Sequence, residues 1–231
     1  MKTRNGFVSN SSSSSFIVVF PKKPQSEKEV MKRLFNGQEG HISYYDMDVM
    51  HHSDISAIVY KDLKDKRKAT AKEISEEYES DIWHDAYELE RNFRREHTPT
   101  QMMFDKIHTL SSDLIDLCKK KSDLVRKQDD EKDIFCVRHD MTHFWADLSE
   151  NEELDKLRRE FDAKQRKELD PISRKIDKEV NKISLRNAKQ FIEDHKGFWF
   201  TILSYADDGG QGLLEHGGIF KHIEHQRISH H

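Results

Sequence analysis

Two short runs near opposite ends of the chain are apolar on both sides. Residues 16–20 read Phe-Ile-Val-Val-Phe, and residues 198–205 read Phe-Trp-Phe-Thr-Ile-Leu-Ser-Tyr. β-Branched and aromatic residues without polar alternation describe strands buried on both faces. Pro21 and Pro24 stop the first run, because proline cannot donate to a ladder. Neither run has another partner of similar quality, so the two are expected to share one small sheet. Two strands alone are marginal, and residues 41–48 are the candidate third strand.

Most of what lies between them has helical periodicity. Ser26 with Glu29 three residues on is a capping box. It opens a short amphipathic helix through Val30, Met31, Leu34 and Phe35 that ends near Asn36-Gly37. Asp54 is the expected N-cap of a second stripe, Ile55, Ile58, Val59 and Leu63. The stripe resumes at Ile74, Tyr78, Ile82, Tyr87 and Leu89. Thr98-Pro99 marks a further helix start. Beyond it Met103, Ile107, Leu110, Leu114, Leu117 and Leu124 form a heptad seam interrupted at Lys121. Residues 134–148 are of ambiguous type. A helix begins around Ser149 with Leu154, Leu157 and Phe161, and Asp170-Pro171 is expected to break or restart it. Ile172, Ile176, Val180 and Ile183 carry the stripe on towards Phe191 and Ile192, with Gly197 at the left-handed stop.

The composition suits this pattern. Charged residues make up 35%, against the roughly 25% of ordinary domains, and hydrophobic residues only 35%. Such a chain can fill long helices that bury a narrow seam more easily than a thick core. The expected fold is α+β, mostly α: a small sheet of N- and C-terminal strands with a long antiparallel helical, coiled-coil excursion. Residues 1–53 and 197–231 would form the α/β body, and 54–196 the helical arm.

Several function classes lose support. The 39 Lys+Arg against 43 Asp+Glu give no basic excess for non-specific nucleic-acid binding. Runs such as 64–68 and 118–121 read as solvated helix faces. No apolar run reaches the roughly 20 residues of a membrane helix. The phosphate-loop, dinucleotide and GxSxG signatures are absent. Cys118 and Cys136 have no CxxC spacing and read as reduced thiols of a cytoplasmic protein.

Residues 11–15 are five consecutive serines leading into the first strand. They can be a flexible polar lead, a structured lead, or a set of hydroxyls and amides that contact an anion or a neighbouring chain. The stretch "RNGFVSNSSSSSFIV" (4–18) resembles the N-terminal signature of a family of uncharacterised bacteriophage and bacterial proteins, and the close "LLEHGGIFKHIEHQRISHH" (213–231) resembles theirs. The resemblance covers the two ends and not the middle. It implies a phage or prophage origin and a bacterial host cytoplasm, and it carries no catalytic residue across.

Five histidines fall in the last sixteen residues: His216, His222, His225, His230 and His231. They follow Asp207-Asp208 and a glycine-rich turn at the end of the second strand, a place where sites are often built. Imidazoles and carboxylates suit a divalent metal such as zinc or manganese. On that reading Asp207, Asp208, His222 and His225 are metal ligands, with His222 and His225 on one helical face. Glu215 is then the general base beside His216. A disordered histidine-rich end and histidines packed on the sheet are the competing readings. His139 and His143 are spaced i, i+4 near Trp145 and would share a face if that segment were helical. Two functions are therefore carried forward. One is an accessory protein acting through protein interaction or self-association by its helical arm. The other is a metal-dependent hydrolase, with a phosphoester as its expected substrate.

Overall fold

The computed structural model describes residues 13–44, 48–95, 110–148, 151–206 and 212–230. The elements are β1 (Ser13–Phe20), α1 (Glu27–Phe35), β2 (His41–Tyr44), β3 (Asp48–His51), α2 (His52–Lys64), α3 (Ala71–Arg94), α4 (Ser112–Arg138), α5 (Glu152–Asp194), β4 (Trp199–Ala206), α6 (Gly212–His216) and β5 (His225–His230). The fold is α+β and mostly helical. It divides into two compact units, one of residues 1–81 with 184–231 and one of residues 82–183. The division falls inside α3 and inside α5.

In the first unit the N- and C-terminal strands meet. β1 is the central strand of the order β4-β1-β5, antiparallel to both neighbours. Ile17 lies opposite Ile202 and Val18 opposite Thr201. The described residues of the expected third strand, 41–44 and 48, do not join this sheet. Residues 41–44 and 48–51 form a separate two-stranded hairpin, β2-β3, and the third strand is the histidine-bearing segment β5. The reason lies in spacing. Gln226 and Ile228 share a pleat face with Ile17 and Ser15, so the end of the chain offers an alternating strand that the count of histidines conceals.

Both faces of β1 are covered, as its composition demands. Phe16, Val18 and Phe20 pack with Val30 and Leu34 of α1, Ile55, Val59 and Leu63 of α2, and Leu213 of α6. Ile17 and Val19 face the other way, against Ile74 of α3, Ala188 and Phe191 of α5, and Phe200 and Ile228. α2 therefore belongs to this unit. Local signals set the helix ends. Ser26 Oγ accepts from Glu29 N at 3.3 Å, and Glu29 Oε2 accepts from Gln25 N at 2.8 Å. Asn36 and Gly37 turn the chain out of α1 at φ 55° and 75°, a conformation that asparagine and glycine tolerate best. Gly197, at φ 90°, does the same after α5. α3 opens on a capping box of its own. Glu73 accepts from Thr70 N at 2.8 Å and is held by Arg67 at 2.7 Å. The Thr70 bonds, with Arg67, keep the Glu73 carboxyl below its ordinary value despite some burial. α2 begins one turn earlier than expected. His51 is its N-cap, without a side-chain bond, and Asp54 lies in the first turn.

The second unit buries a narrower seam. Ala86, Leu89, Leu114, Cys118, Ile176 and Val180 are buried. Met103 and Ile107 of the expected heptad lie outside the described residues. Within α4 the seam runs through Leu114, Cys118, Ser122 and Gln128, with Leu117 and Leu124 at its flanks. Burial, then the Glu90 charge, pushes the Cys118 thiol up to about 12. α5 does not break at Pro171 but runs unbroken for 43 residues. Proline there forfeits one ladder bond, but it stands on an exposed face. Water can satisfy the freed carbonyl, and Gln165 and Ile176 are buried on either side. Asn151 caps α5 by accepting from Leu154 N at 3.0 Å. Residues 139–148 are not helical, so His139 and His143 do not share a helix face.

Candidate functional site

Pleat geometry places Ser14, Phe16, Val18 and Phe20 on one face of β1. Arg227 and His225 of β5 join that face opposite Phe16 and Val18. α6 covers it with Leu213, Leu214 and Glu215, all buried. Glu215 is only 2% exposed, and a carboxylate at that depth needs partners. Ser14 Oγ donates to Glu215 Oε1 at 2.8 Å. Arg227 Nε donates to Ser14 Oγ at 3.1 Å, and its Nη2 reaches Glu215 Oε1 at 3.5 Å. The same Nη2 donates to His216 Nδ1 at 3.0 Å. Nδ1 therefore accepts, and Nε2 carries the ring proton, 3.6 Å from Glu215 Oε2. That second carboxylate oxygen is buried and has no hydrogen-bond partner among the described residues. The Arg227 guanidinium also lies 5.9 Å over the Phe16 ring.

The cluster joins residues more than 200 positions apart, Ser14 to Glu215 and to Arg227. Ser14 is completely buried, so its hydroxyl is a fixed bridge between a carboxylate and a guanidinium. Of the candidate catalytic pair, Glu215 and His216 are thus brought together. His225 turns Nδ1 to Ile223 O at 3.0 Å, with its ring 6.0 Å from Phe220 and 6.4 Å from Phe16. His222 is exposed in a turn and not on a helix, so it shares no helical face with His225. Asp207 and Asp208 lie outside the described residues; among the described residues no group of three or more metal-binding side chains is found. Arg227 was not a candidate from sequence, and Ser14 entered only as one of the five serines that could contact an anion. The signal for them is their place two residues, or a strand pairing, from Phe16, on the same pleat face.

A second feature lies in the other unit. α4 and α5 run antiparallel there. Gln128 Nε2 donates to Gln165 O at 3.0 Å, and Gln165 Nε2 to Gln128 O at 3.1 Å. Further along, Phe135 meets Phe161 at 5.0 Å and Phe144 at 5.7 Å. Met141 and Leu154 pack on this aromatic cluster. Beside it a groove of about 620 Å³ is floored by Ile134, Phe135, Leu157 and Phe161 and rimmed by charged residues. Ile134, Val137 and Leu157 are 58%, 84% and 43% exposed, and Trp145 is 63% exposed. The sequence held the sign of this. Residues 134–137 are Ile-Phe-Cys-Val, and four consecutive apolar residues on a helix cannot all face inward. Phe135 and Cys136 turn in, leaving Ile134 and Val137 outside.

Among the described residues no helix is long and apolar enough to cross a membrane. No protein-family model matches the chain, and no curated protein and no solved structure matches it either.

Proposed function

We propose that this is a phage-type accessory protein that acts by protein interaction through the hairpin of α4 and α5. The observation that carries the reading is the apolar groove, whose lining residues Ile134 and Leu157 are 58% and 43% exposed. Exposed apolar side chains gathered at one place mark contact surfaces, whereas scattered ones need no explanation. The site is built on two long helices braced by a buried aromatic cluster, so a partner would meet a preformed surface and the contact would carry little ordering cost. The test is site-specific photo-cross-linking in a bacterial cytoplasm, with the probe at Arg138 or Leu157, both of which line the groove, and a control at the exposed Lys167. Discrete adducts at the first two positions, absent at Lys167 and lost on Ile134→Asp, are expected. Equal labelling at all three positions overturns the reading.

One observation favours a second reading, the metal-dependent hydrolase. Glu215 Oε2 is buried beside His216 with no hydrogen-bond partner among the described residues, a state that costs stability unless something uses it. Metal analysis of untagged protein tests it. Stoichiometric zinc or manganese, lost in His222→Ala, supports the hydrolase. Metal-free protein whose melting is unchanged by chelator rejects it.

A further inference from the structure

We propose that the α4–α5 groove pairs with the same groove of a second copy of this chain, the two hairpins lying side by side as a four-helix bundle. The inference rests on the interaction reading above and names the partner.

The argument is charge complementarity at fixed levels. The reciprocal Gln128 and Gln165 bonds and the Phe135–Phe161 contact set which residues of the two antiparallel helices stand level. Stepping forward along α4 and back along α5, Glu131 stands level with Lys164, Ile134 with Phe161, and Arg138 with Leu157. Glu160 is one turn from Arg138's level. All of them line the groove. A two-fold axis running along the groove exchanges α4 with α5 and leaves each level unchanged. Such a contact is isologous, each pair occurring twice. Glu131 then meets Lys164 of the second copy, Arg138 comes within reach of the second copy's Glu160, and Ile134 and Leu157 are buried between them. Every acid on this face meets a base. An axis across the groove would instead bring the two Glu160 side chains together, which disfavours that arrangement. Glu131 has one local partner, Lys127 at 3.5 Å in an exposed pair, and such a pair is weak enough to rearrange. The pairing buries Ile134 and Leu157, otherwise 58% and 43% exposed, and burial of such a stripe is what drives helical hairpins into four-helix bundles.

The test is sedimentation of the purified full-length chain and three variants. The native chain is expected at twice the 27.4 kDa monomer mass, and Leu157→Asp at the monomer mass. Glu131→Lys alone makes both charged positions basic, and Lys164→Glu alone makes both acidic, so each should dissociate to monomers. Mixed in equal amounts, these two chains should re-form a dimer containing one of each. Far-UV circular dichroism checks that the variants stay helical, and both substituted side chains are surface groups. A monomeric native chain, single variants that remain dimers, or a mixture that stays monomeric overturns the proposal. The measurement contains no other protein. Its failure therefore leaves the wider interaction reading to the cross-linking result with a different partner, whereas failure of cross-linking removes both.

Discussion

The two units bury different kinds of material. In the sheet unit β1 has apolar neighbours on both faces, with Ile17, Val18 and Phe20 all fully inaccessible. In the helical unit the seam includes Ser122, Gln128 and Gln165, and Glu90 is buried beside Lys121 at 2.9 Å. Ser122 Oγ donates to Glu90 O at 2.8 Å, and Ser111 Oγ to Glu179 Oε1 at 3.0 Å. A sheet strand sandwiched between helix layers has no route to water, and β1 is accordingly apolar over residues 16–20. A helix touching its neighbours along one stripe keeps water within a side chain's length. It can hold polar groups in the seam if each finds a partner. The 35% charged composition is thus spread unevenly: the thick core is concentrated at the chain ends, and the middle is built from solvated helices.

The largest test of this contrast is in β1. Phe20→Ala should destabilise the protein by about 3–5 kcal/mol, the cost of a large aromatic removed from a full core. Its ring is fully buried and lies 6.0 Å from Trp199. Chemical denaturation followed by far-UV circular dichroism checks it. A loss under about 1 kcal/mol would mean the sheet core is looser than the burial implies.

Next comes the buried carboxylate of the sheet unit. Glu215→Ala removes the acceptor of the buried Ser14 hydroxyl and the counter-charge of Arg227. Arg227 is 39% exposed, so water recovers part of the loss. The expected cost is about 2–3 kcal/mol, read from the same denaturation curves. In an Arg227→Met background the Glu215→Ala step should cost less, because the charge left unpaired is gone. Equal costs in both backgrounds would show that the two side chains do not act as a pair.

Much of this architecture was legible beforehand, and the legible parts share a cause. The pairing of residues 16–20 with 198–205 follows from two double-faced apolar runs that only each other could satisfy. Caps such as Ser26 with Glu29 and turns such as Asn36-Gly37 are local chemistry, so they read directly. What did not read depends on partners distant in sequence. β5 looked like a polar histidine tail because its one buried apolar residue, Ile228, stands among polar neighbours, and only pairing with β1 makes the segment a strand. The Ser14–Glu215–Arg227 contact needs three elements at once, and only Glu215 and His216 stood out by type. Pro171 misled for the opposite reason. A strong local signal was outvoted by packing on both sides of it.

In the helical unit the contrast predicts tolerance. Gln128→Met with Gln165→Met should change stability by less than about 1.5 kcal/mol, as volume-conserving exchanges do, and the change can be favourable. Each glutamine gives up one bond to the opposite backbone. Against that, Gln165 Oε1 is already buried without a partner among the described residues, so the double exchange removes an existing penalty. The comparable exchange in the sheet, Val18→Asn, should cost more because Val18 is fully buried within an apolar cluster. If the glutamine pair costs as much as the valine, the two seams are not different in kind.

The smallest expected effect is a pH dependence where α5 hands over to the sheet. His195 is buried, with Nδ1 2.6 Å from Phe191 O and Nε2 2.7 Å from Glu224 Oε1. Both ring nitrogens face acceptors, so only the doubly protonated ring satisfies both. Burial pulls the imidazole down, but the bond to Glu224, the Phe191 carbonyl and the charges of Glu224 and Asp194 together hold it above its ordinary 6.5. A group whose folded-state value is raised contributes stability that is fully present below the unfolded value and is lost as pH rises through the folded one. His195→Gln should therefore cost most below pH 6.5 and progressively less above it. Glu224 is 66% exposed, which screens the pair and keeps the effect modest. Thermal melts of the native chain and His195→Gln across this range measure it. Curves that stay parallel would mean that the ring is held in one protonation state throughout, and that the junction between α5 and the sheet is closed by packing of Phe191 on Phe200 of β4 without help from charge.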